Sequence, residues 1–307
     1  MRVTAVFFRS MLMGYFYIIL AALCWATIGP VARFAFDAGV TPLEVGFWRA
    51  MLGGVLFAAH MAAFRSERLR RKHLAPMLAF AVIGVAVFFG AYMFAVEAGG
   101  AALAAVLLYT APAWVAVMSV LLLGERMTTV KLLAVGLTLL GVVGVAMGGD
   151  GTIRFSVAAI VWGLISGLSY ACYYPFAKWY FHERTPATWY AYAFPIGALL
   201  LLPFVTFTAK SLVAWGAIAW VAVISTYVAY LAYGAGLQRM EATPASIVAT
   251  LEPVFAGALA FWWWSEQFSW LGYVGAALIL TAVVLAAVDP ARTSRKAKEA
   301  TASDGSA

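Results

Sequence analysis

The chain carries one pattern of membrane-length segments twice, five in each copy. An odd number of crossings per copy turns the second copy upside down, so matching residues face opposite sides of a bilayer. The register can be followed along the sequence. LCWATIGPVAR around Pro30 answers LSYACYYPFAK around Pro175 and aligns Arg33 with Lys178 at an offset of 145. YTAPAWVAVMSVLLLGER answers TLEPVFAGALAFWWWSEQ, aligning Pro112 with Pro253 and Glu125 with Glu266 at an offset of 141, which Tyr92 and Tyr233 also keep. The second half lacks one basic loop, which absorbs the change in offset. Single matches in Ala- and Leu-rich helices arise by chance, whereas four prolines and two glutamates in register form a pattern.

Ten stretches are long enough to cross a hydrocarbon core of roughly 30 Å, which takes about 20 helical residues. They run approximately 14 to 36, 42 to 64, 74 to 96, 101 to 123, 128 to 147, 155 to 181, 186 to 208, 213 to 236, 243 to 264 and 269 to 288. With 65% hydrophobic and 11% charged residues, the chain cannot be an ordinary soluble domain. The runs are uniformly apolar and do not alternate, which selects helices over a barrel. The fold class is therefore an all-α polytopic membrane protein of ten transmembrane helices in two inverted five-helix repeats.

Orientation follows from Arg65, Arg68, Arg70, Arg71 and Lys72, which join spans two and three and are expected to stay in the cytoplasm. Both termini then lie in the cytoplasm, in keeping with Arg2, Arg9, Arg292, Arg295, Lys296 and Lys298. The expected organisation is a cytoplasmic segment 1–13, a first repeat 14–147, a periplasmic linker 148–154, an inverted repeat 155–288 and a disordered cytoplasmic tail 289–307. The first apolar stretch is too long for a cleavable signal peptide. The net charge of +7 sits mostly in loops and tails, where it orients the chain and attracts anionic lipid, so no nucleic-acid partner is expected. Cys24 and Cys172 fall within spans and are read as small buried hydrophobes, with neither a disulfide nor a metal site expected.

A proline inside a helix removes one backbone hydrogen bond. Pro30, Pro112, Pro175 and Pro253 would free the carbonyls of Ala26, Leu108, Ala171 and Ala249. Such groups are tolerated at membrane depth where protein or a wet cavity receives them, so the four positions are candidate hinges around a cavity. The alternative is that proline is simply common in membrane helices.

Glu252 stands about 14 Å into its span, close to the bilayer midplane. A carboxylate there costs several kcal/mol unless it is paired, protonated or facing water. It can hold the ammonium of a substrate or titrate in proton coupling; the competing reading is a carboxyl that caps neighbouring helices. Its repeat mate is Ala111, so the charge breaks the internal symmetry. Arg49 is the next candidate, either as partner of a substrate carboxylate or as a brace to Glu44 or Glu97. Arg33 and Lys178, near opposite ends of their helices, either snorkel or form gates.

Tyr170, Tyr173 and Tyr174 share a helix face, and Tyr227, Tyr230 and Tyr233 climb another in steps of three. With Trp25, Tyr92, Tyr109 and Trp114 they suit a partly wet cavity with flat apolar walls, or else packing and an interfacial belt. Trp262, Trp263 and Trp264 read as such a belt. Gly163 with Gly167, and Gly144 with Gly148, permit close helix approach. His60, His73 and His182 are expected to be solvated. There is no Walker motif, no H-E-x-x-H helix and no cysteine cluster, so no cofactor or metal is expected and gradients must drive any transport.

At these residues the chain resembles the drug/metabolite transporter superfamily, in its EamA-type branch, and within it the amino-acid exporters of the YddG type. The resemblance covers about residues 14 to 288 and rests on the doubled ten-span plan and the P-x(12)-E motif, Pro112 with Glu125 and Pro253 with Glu266. It implies a basket of helices around a central cavity that opens alternately to either side, in the bacterial inner membrane. It also implies export of amino acids, aromatic and other neutral ones, and related metabolites. Expected partners are such a small molecule and membrane lipid, with protons a candidate coupling ion and a monomer or weak homodimer as the assembly. Within the superfamily a cationic drug, a purine or a sugar phosphate is the alternative substrate. An intramembrane enzyme would need a nucleophile with a base or metal at shared depth, and none is visible. A structural or receptor-like protein would have no use for symmetric prolines and a midplane carboxylate.

Overall fold

The computed structural model describes residues 2–149, 154–265, 267 and 269–288. Glu266, positions 150–153 of the linker and the tail 289–307 lie outside the described residues. Ten helices are long and apolar enough to span a membrane: Ser10–Asp37, Pro42–Ala63, Arg71–Gly99, Ala101–Leu123, Thr129–Met147, Val157–Tyr180, Pro186–Phe204, Leu212–Leu237, Ala242–Trp263 and Trp270–Val288, here spans 1 to 10. No strand occurs among the described residues. The helix that contains span 1 begins at Arg2.

The prolines interrupt four spans in matched places. Span 1 breaks between Arg2–Ala26 and Ile28–Asp37, and span 6 breaks 145 positions later between Val157–Ala171 and Tyr173–Tyr180. Span 4 breaks between Ala101–Leu108 and Ala111–Leu123; span 9 does so between Ala242–Ala249 and Leu251–Trp264. In every case the proline lies in the first turn of the new half-helix, where its missing N–H has no intrahelical partner to lose. Threonines seal three of the breaks. The hydroxyls of Thr27, Thr110 and Thr250 donate to the carbonyls of Cys24, Leu107 and Ile247 at 2.8, 2.6 and 2.5 Å. At the fourth break the equivalent of Thr27 is Cys172.

Two further irregularities carry no proline. Span 3 is π-helical over Ala81–Val87 and span 8 over Val223–Val228, which places Gly84 and Ser225 at the same offset of 141. Spans 4 and 9 end in left-handed residues at mated positions, Gly124 at φ 65° and Ser265 at φ 56°. The doubling thus extends to backbone defects, which supports the inverted repeat independently of side-chain identity.

Packing follows the same symmetry. Span 2 lies against span 7, span 5 against span 10, and span 4 against span 9, while span 1 meets span 8 as span 6 meets span 3. Spans 5 and 10 cross backbone to backbone. A Cβ on Gly144 would sit 2.8 Å from the Gly275 Cα, and one on Gly148 would strike Gly272. Gly167 lets span 6 press on Leu107 and Thr110 at the break of span 4. The four expected close-approach glycines all lie in such helix contacts.

The symmetry fails at the ends. At the end bearing the Arg65–Lys72 loop, here the basic end, the half-helix Tyr173–Tyr180 closes on spans 4, 8 and 9. Its mate at the far end, Ile28–Asp37, leans on span 8 and on the far half of span 9. Among the described residues its packing on spans 3 and 4 is marginal at most. The bundle is packed more tightly at the basic end than at the far end.

Candidate functional site

Glu252 is the second residue of the half-helix Leu251–Trp264, where the positive end of the helix dipole favours a carboxylate. Proline at the next position fixes the break and therefore the height of the carboxylate in the bundle. It is half-buried. Tyr109, at the mated break of span 4, is coupled to it electrostatically. Tyr92, Tyr170, Tyr174 and Tyr230 lie within electrostatic reach of the same carboxylate. Two broken helices thus bring a charge and a ring of phenols to one depth.

The walls are aromatic. The Trp25 indole stands edge-on to Tyr170, Tyr230 and Tyr233, with centroids 6.4, 5.4 and 5.1 Å away. Phe88 stacks on Tyr170 at 5.5 Å, and the Tyr174 and Tyr170 hydroxyls are 3.4 Å apart. Sequence reasoning missed Tyr190, whose ring lies 5.3 Å from Tyr230 and whose hydroxyl is buried with no hydrogen-bond partner among the described residues. It follows Trp189 near the start of span 7 and falls on neither tyrosine stripe.

Arg49 reaches the same region and acts on Glu252 through space. It does not brace Glu44 or Glu97. Its Nε donates to Thr226 Oγ1 at 3.2 Å and its Nη2 to the Ser225 carbonyl at 3.3 Å, with the guanidinium 4.9 Å over the Phe89 ring. Glu44 is instead fully buried by Lys210 and Thr208, and Lys210 lies among the rings of Trp48, Phe207 and Trp215 at 5.6, 5.8 and 5.3 Å. Glu97 is exposed, and its carbonyl accepts from Arg154 at 3.0 Å.

Two other candidates, Tyr227 and Trp114, stand apart, as do the histidines. The Tyr227 hydroxyl pairs with His60 Nδ1 at 2.7 Å, and its ring meets Phe57 at 5.2 Å. The π-turn shifts the helical register ahead of Tyr230, which separates Tyr227 from the stripe read in steps of three. Trp114 is exposed. His73 is buried, not solvated, because Nδ1 accepts the Arg70 N–H at 3.0 Å and Nε2 meets Glu183 Oε2 at 3.1 Å. His182 is exposed.

Charged side chains fasten the basic end. Lys178 Nζ donates to the Leu237 carbonyl at 2.7 Å and to that of Met240. Glu125 caps the start of span 9, accepting from the Ala242 N–H at 2.6 Å and from Thr243 Oγ1 at 3.1 Å. Lys131, unmarked in the sequence, is buried beside it and binds Glu241 at 2.8 Å. A cavity of about 420 Å³ lies here, lined by Glu125, Lys178, Trp179 and Glu241. At the far end Arg33, the mate of Lys178, is exposed.

Ten membrane-length helices in two inverted repeats, meeting at a half-buried carboxylate, define a multi-pass membrane transporter. The EamA-like transporter family profile matches residues 12–147 and, a second time, residues 157–288. The chain belongs to the EamA-like transporter family. It is similar to an uncharacterized transporter of Archaeoglobus fulgidus, 29% identical over 92% of this chain and 98% of the relative. The uncharacterized transporter YwfM of Bacillus subtilis is 27% identical over 93% and 96%, and the uncharacterized inner membrane transporter YicL of Salmonella typhimurium 24% over 92% and 98%. A solved crystal structure at 18% identity shares the fold with a TM-score of 0.79, covering 93% of this chain and 98% of its own.

Proposed function

We propose that the protein exports amino acids, aromatic and other neutral ones, and related metabolites across a bacterial inner membrane, as the YddG-type exporters that it resembles do. The observation that carries this reading is Glu252, beside Tyr109 and Tyr170 at the meeting of two broken helices, with Trp25 edge-on to Tyr170. A carboxylate there suits an ammonium group, and flat rings accept varied apolar side chains with little directional demand. The basic loop supports a cytoplasmic placement of that end and of both termini. The more tightly packed end then faces the cytoplasm, and the cavity opens outward, as after release. Repeats 14–147 and 155–288 rock against each other, which parts the Glu125 cap on span 9, while the half-helix that Lys178 ties to span 8 within the second repeat swings clear as the cytoplasmic end opens.

The test is efflux of labelled amino acids from proteoliposomes, with and without a pH gradient, for the wild type and Glu252→Gln. Gln keeps an acceptor oxygen beside Tyr109 but lacks the charge. A charge-assisted contact is worth about 1.5–3 kcal/mol, so the apparent affinity should fall roughly 10- to 150-fold. Saturable flux that the variant leaves unchanged would remove Glu252 from the site. Absence of flux for every amino acid, in folded protein, would sink the substrate class.

A further inference from the structure

We infer that the cavity reads the ammonium group of its substrate and leaves the carboxylate unread, so that primary amines are carried alongside the corresponding amino acids. The inference rests on the cavity reading above and narrows it. Among the described residues Arg49 is the one cation that acts on Glu252, and so the residue that would have to receive a carboxylate. Its geometry assigns it other work. A carboxylate bound side-on takes the parallel Nε–H and Nη2–H of a guanidinium. On Arg49 those two donors already close on Thr226 Oγ1 and the Ser225 carbonyl, and Phe89 lies over the guanidinium face. Thr226 in turn donates to the Val221 carbonyl at 2.9 Å, so the side-on pair of donors and the hydroxyl that receives one of them are engaged without a ligand.

The mated position in the other repeat shows what that work is. Gly84 corresponds to Ser225, and its carbonyl, in the π-helical turn of span 3, accepts from the Tyr173 hydroxyl. A neutral phenol performs there the task that Arg49 performs at Ser225. Holding a carbonyl that the π-turn has released needs a long donor and no charge. Arg49 and Tyr173 are therefore positioning residues that fix the two π-turns beside the cavity. Recognition falls to Glu252, Tyr109 and the rings around them.

A site built to hydrogen-bond a group rejects an analogue that lacks it by about 10⁴ or more, whereas a site that ignores the group discriminates weakly. Inhibition of labelled L-phenylalanine flux in proteoliposomes by 2-phenylethylamine and by 3-phenylpropionate separates the cases. The amine should inhibit within about tenfold of L-phenylalanine itself, and the acid at least about a hundredfold more weakly. Inhibition by the acid with none by the amine would overturn the inference while leaving amino-acid transport intact. Failure of both the amine and unlabelled L-phenylalanine would overturn the cavity reading as well. Arg49→Lys and the uncharged change Thr226→Val add a second readout. Both should lower the maximal rate and leave the ratio of KM for phenylalanine to KM for phenylethylamine within about twofold. A tenfold rise of that ratio in Arg49→Lys would assign the carboxylate to Arg49.

Discussion

The carbonyls of Gly84 and Ser225 stand 141 positions apart, each in a π-helical turn, and each accepts a hydrogen bond from a side chain of the opposite repeat. A π-turn frees a carbonyl from the regular ladder, and in hydrocarbon an unsatisfied carbonyl costs several kcal/mol. Supplying the donor from the other repeat makes that cost a fastening between halves. The donors differ, Tyr173 from span 6 and Arg49 from span 2, so the two fastenings need not loosen together. Any rocking of the repeats has to carry these bonds along or break one of them.

The crossing of spans 5 and 10 should tolerate no side chain at all. A Cβ on Gly275 would lie 2.5 Å from the Gly141 carbonyl oxygen and from the Val145 nitrogen, both backbone atoms that cannot swing aside. Gly275→Ala should therefore lower stability by about 1–3 kcal/mol, the usual cost of overpacking. Gly136 on the exposed face of span 5 meets nothing within 4 Å, and Gly136→Ala should be neutral or slightly stabilising through helix propensity. Thermal unfolding of both variants in detergent checks the pair. Equal midpoints would show that the backbone contact is not needed.

The contrast between these glycines and the π-turns shows what the sequence made legible. Small residues four apart announce a close crossing, and a proline announces a helix restart, because each effect is local to the residue that causes it. The four prolines accordingly marked the four breaks, and Glu252 beside one of them was visible as a buried charge. Nothing local marked the π-turns, since Ala81–Val87 and Val223–Val228 read as ordinary apolar helix. Tyr227 was misplaced for that reason. Partnerships across the fold were equally hidden. Glu44 finds Lys210, His73 finds Glu183 and Arg49 finds Ser225, each more than a hundred positions away. The phenol missed in the walls, Tyr190, comes from a span whose sequence carries no charge or repeat to draw attention to it.

The clasp between the loops at the basic end has a defined pH range. Lys72 Nζ lies 2.5 Å from Glu183 Oε2 and His73 Nε2 lies 3.1 Å from it. Hydrogen bonds from Lys72 first, then from His73, hold the Glu183 carboxyl down to about 2. A depressed carboxylate contributes fully above its unfolded value, about 4.3, and its contribution is lost as pH falls through the folded value. Amide exchange in residues 65–73, corrected for intrinsic rates, should therefore stay constant from pH 8 to 5 and accelerate only below about 4. Glu183→Gln should show the faster exchange from pH 8 to 5, and the two should converge as the wild type loses its carboxylate at lower pH. A change between pH 8 and 5 in the wild type would mean that another group governs the clasp.

Lys178 should act as the bolt of the basic end. Its ammonium joins span 6 to the carbonyls of Leu237 and Met240 at the end of span 8, and hydrogen bonds from a charged donor are worth about 1.5–3 kcal/mol each. Lys178→Met keeps the length and apolar stem but removes both bonds. The loss of even one such bond shifts the closed state toward an open one by roughly 10- to 150-fold in population. Cys172 offers a native reporter, because it is half-buried at the break of span 6, six positions before Lys178. In a Cys24→Ser background it is the sole thiol. A membrane-impermeant thiol reagent applied from the side of the basic end should label it at least tenfold faster in Lys178→Met than in the parent. Lys178→Arg, which retains the charge and donors, should label close to the parent rate. Equal labelling of parent and Lys178→Met would mean that Glu125 and its cap on span 9 keep the end shut without Lys178, and the bolt would have to be sought there.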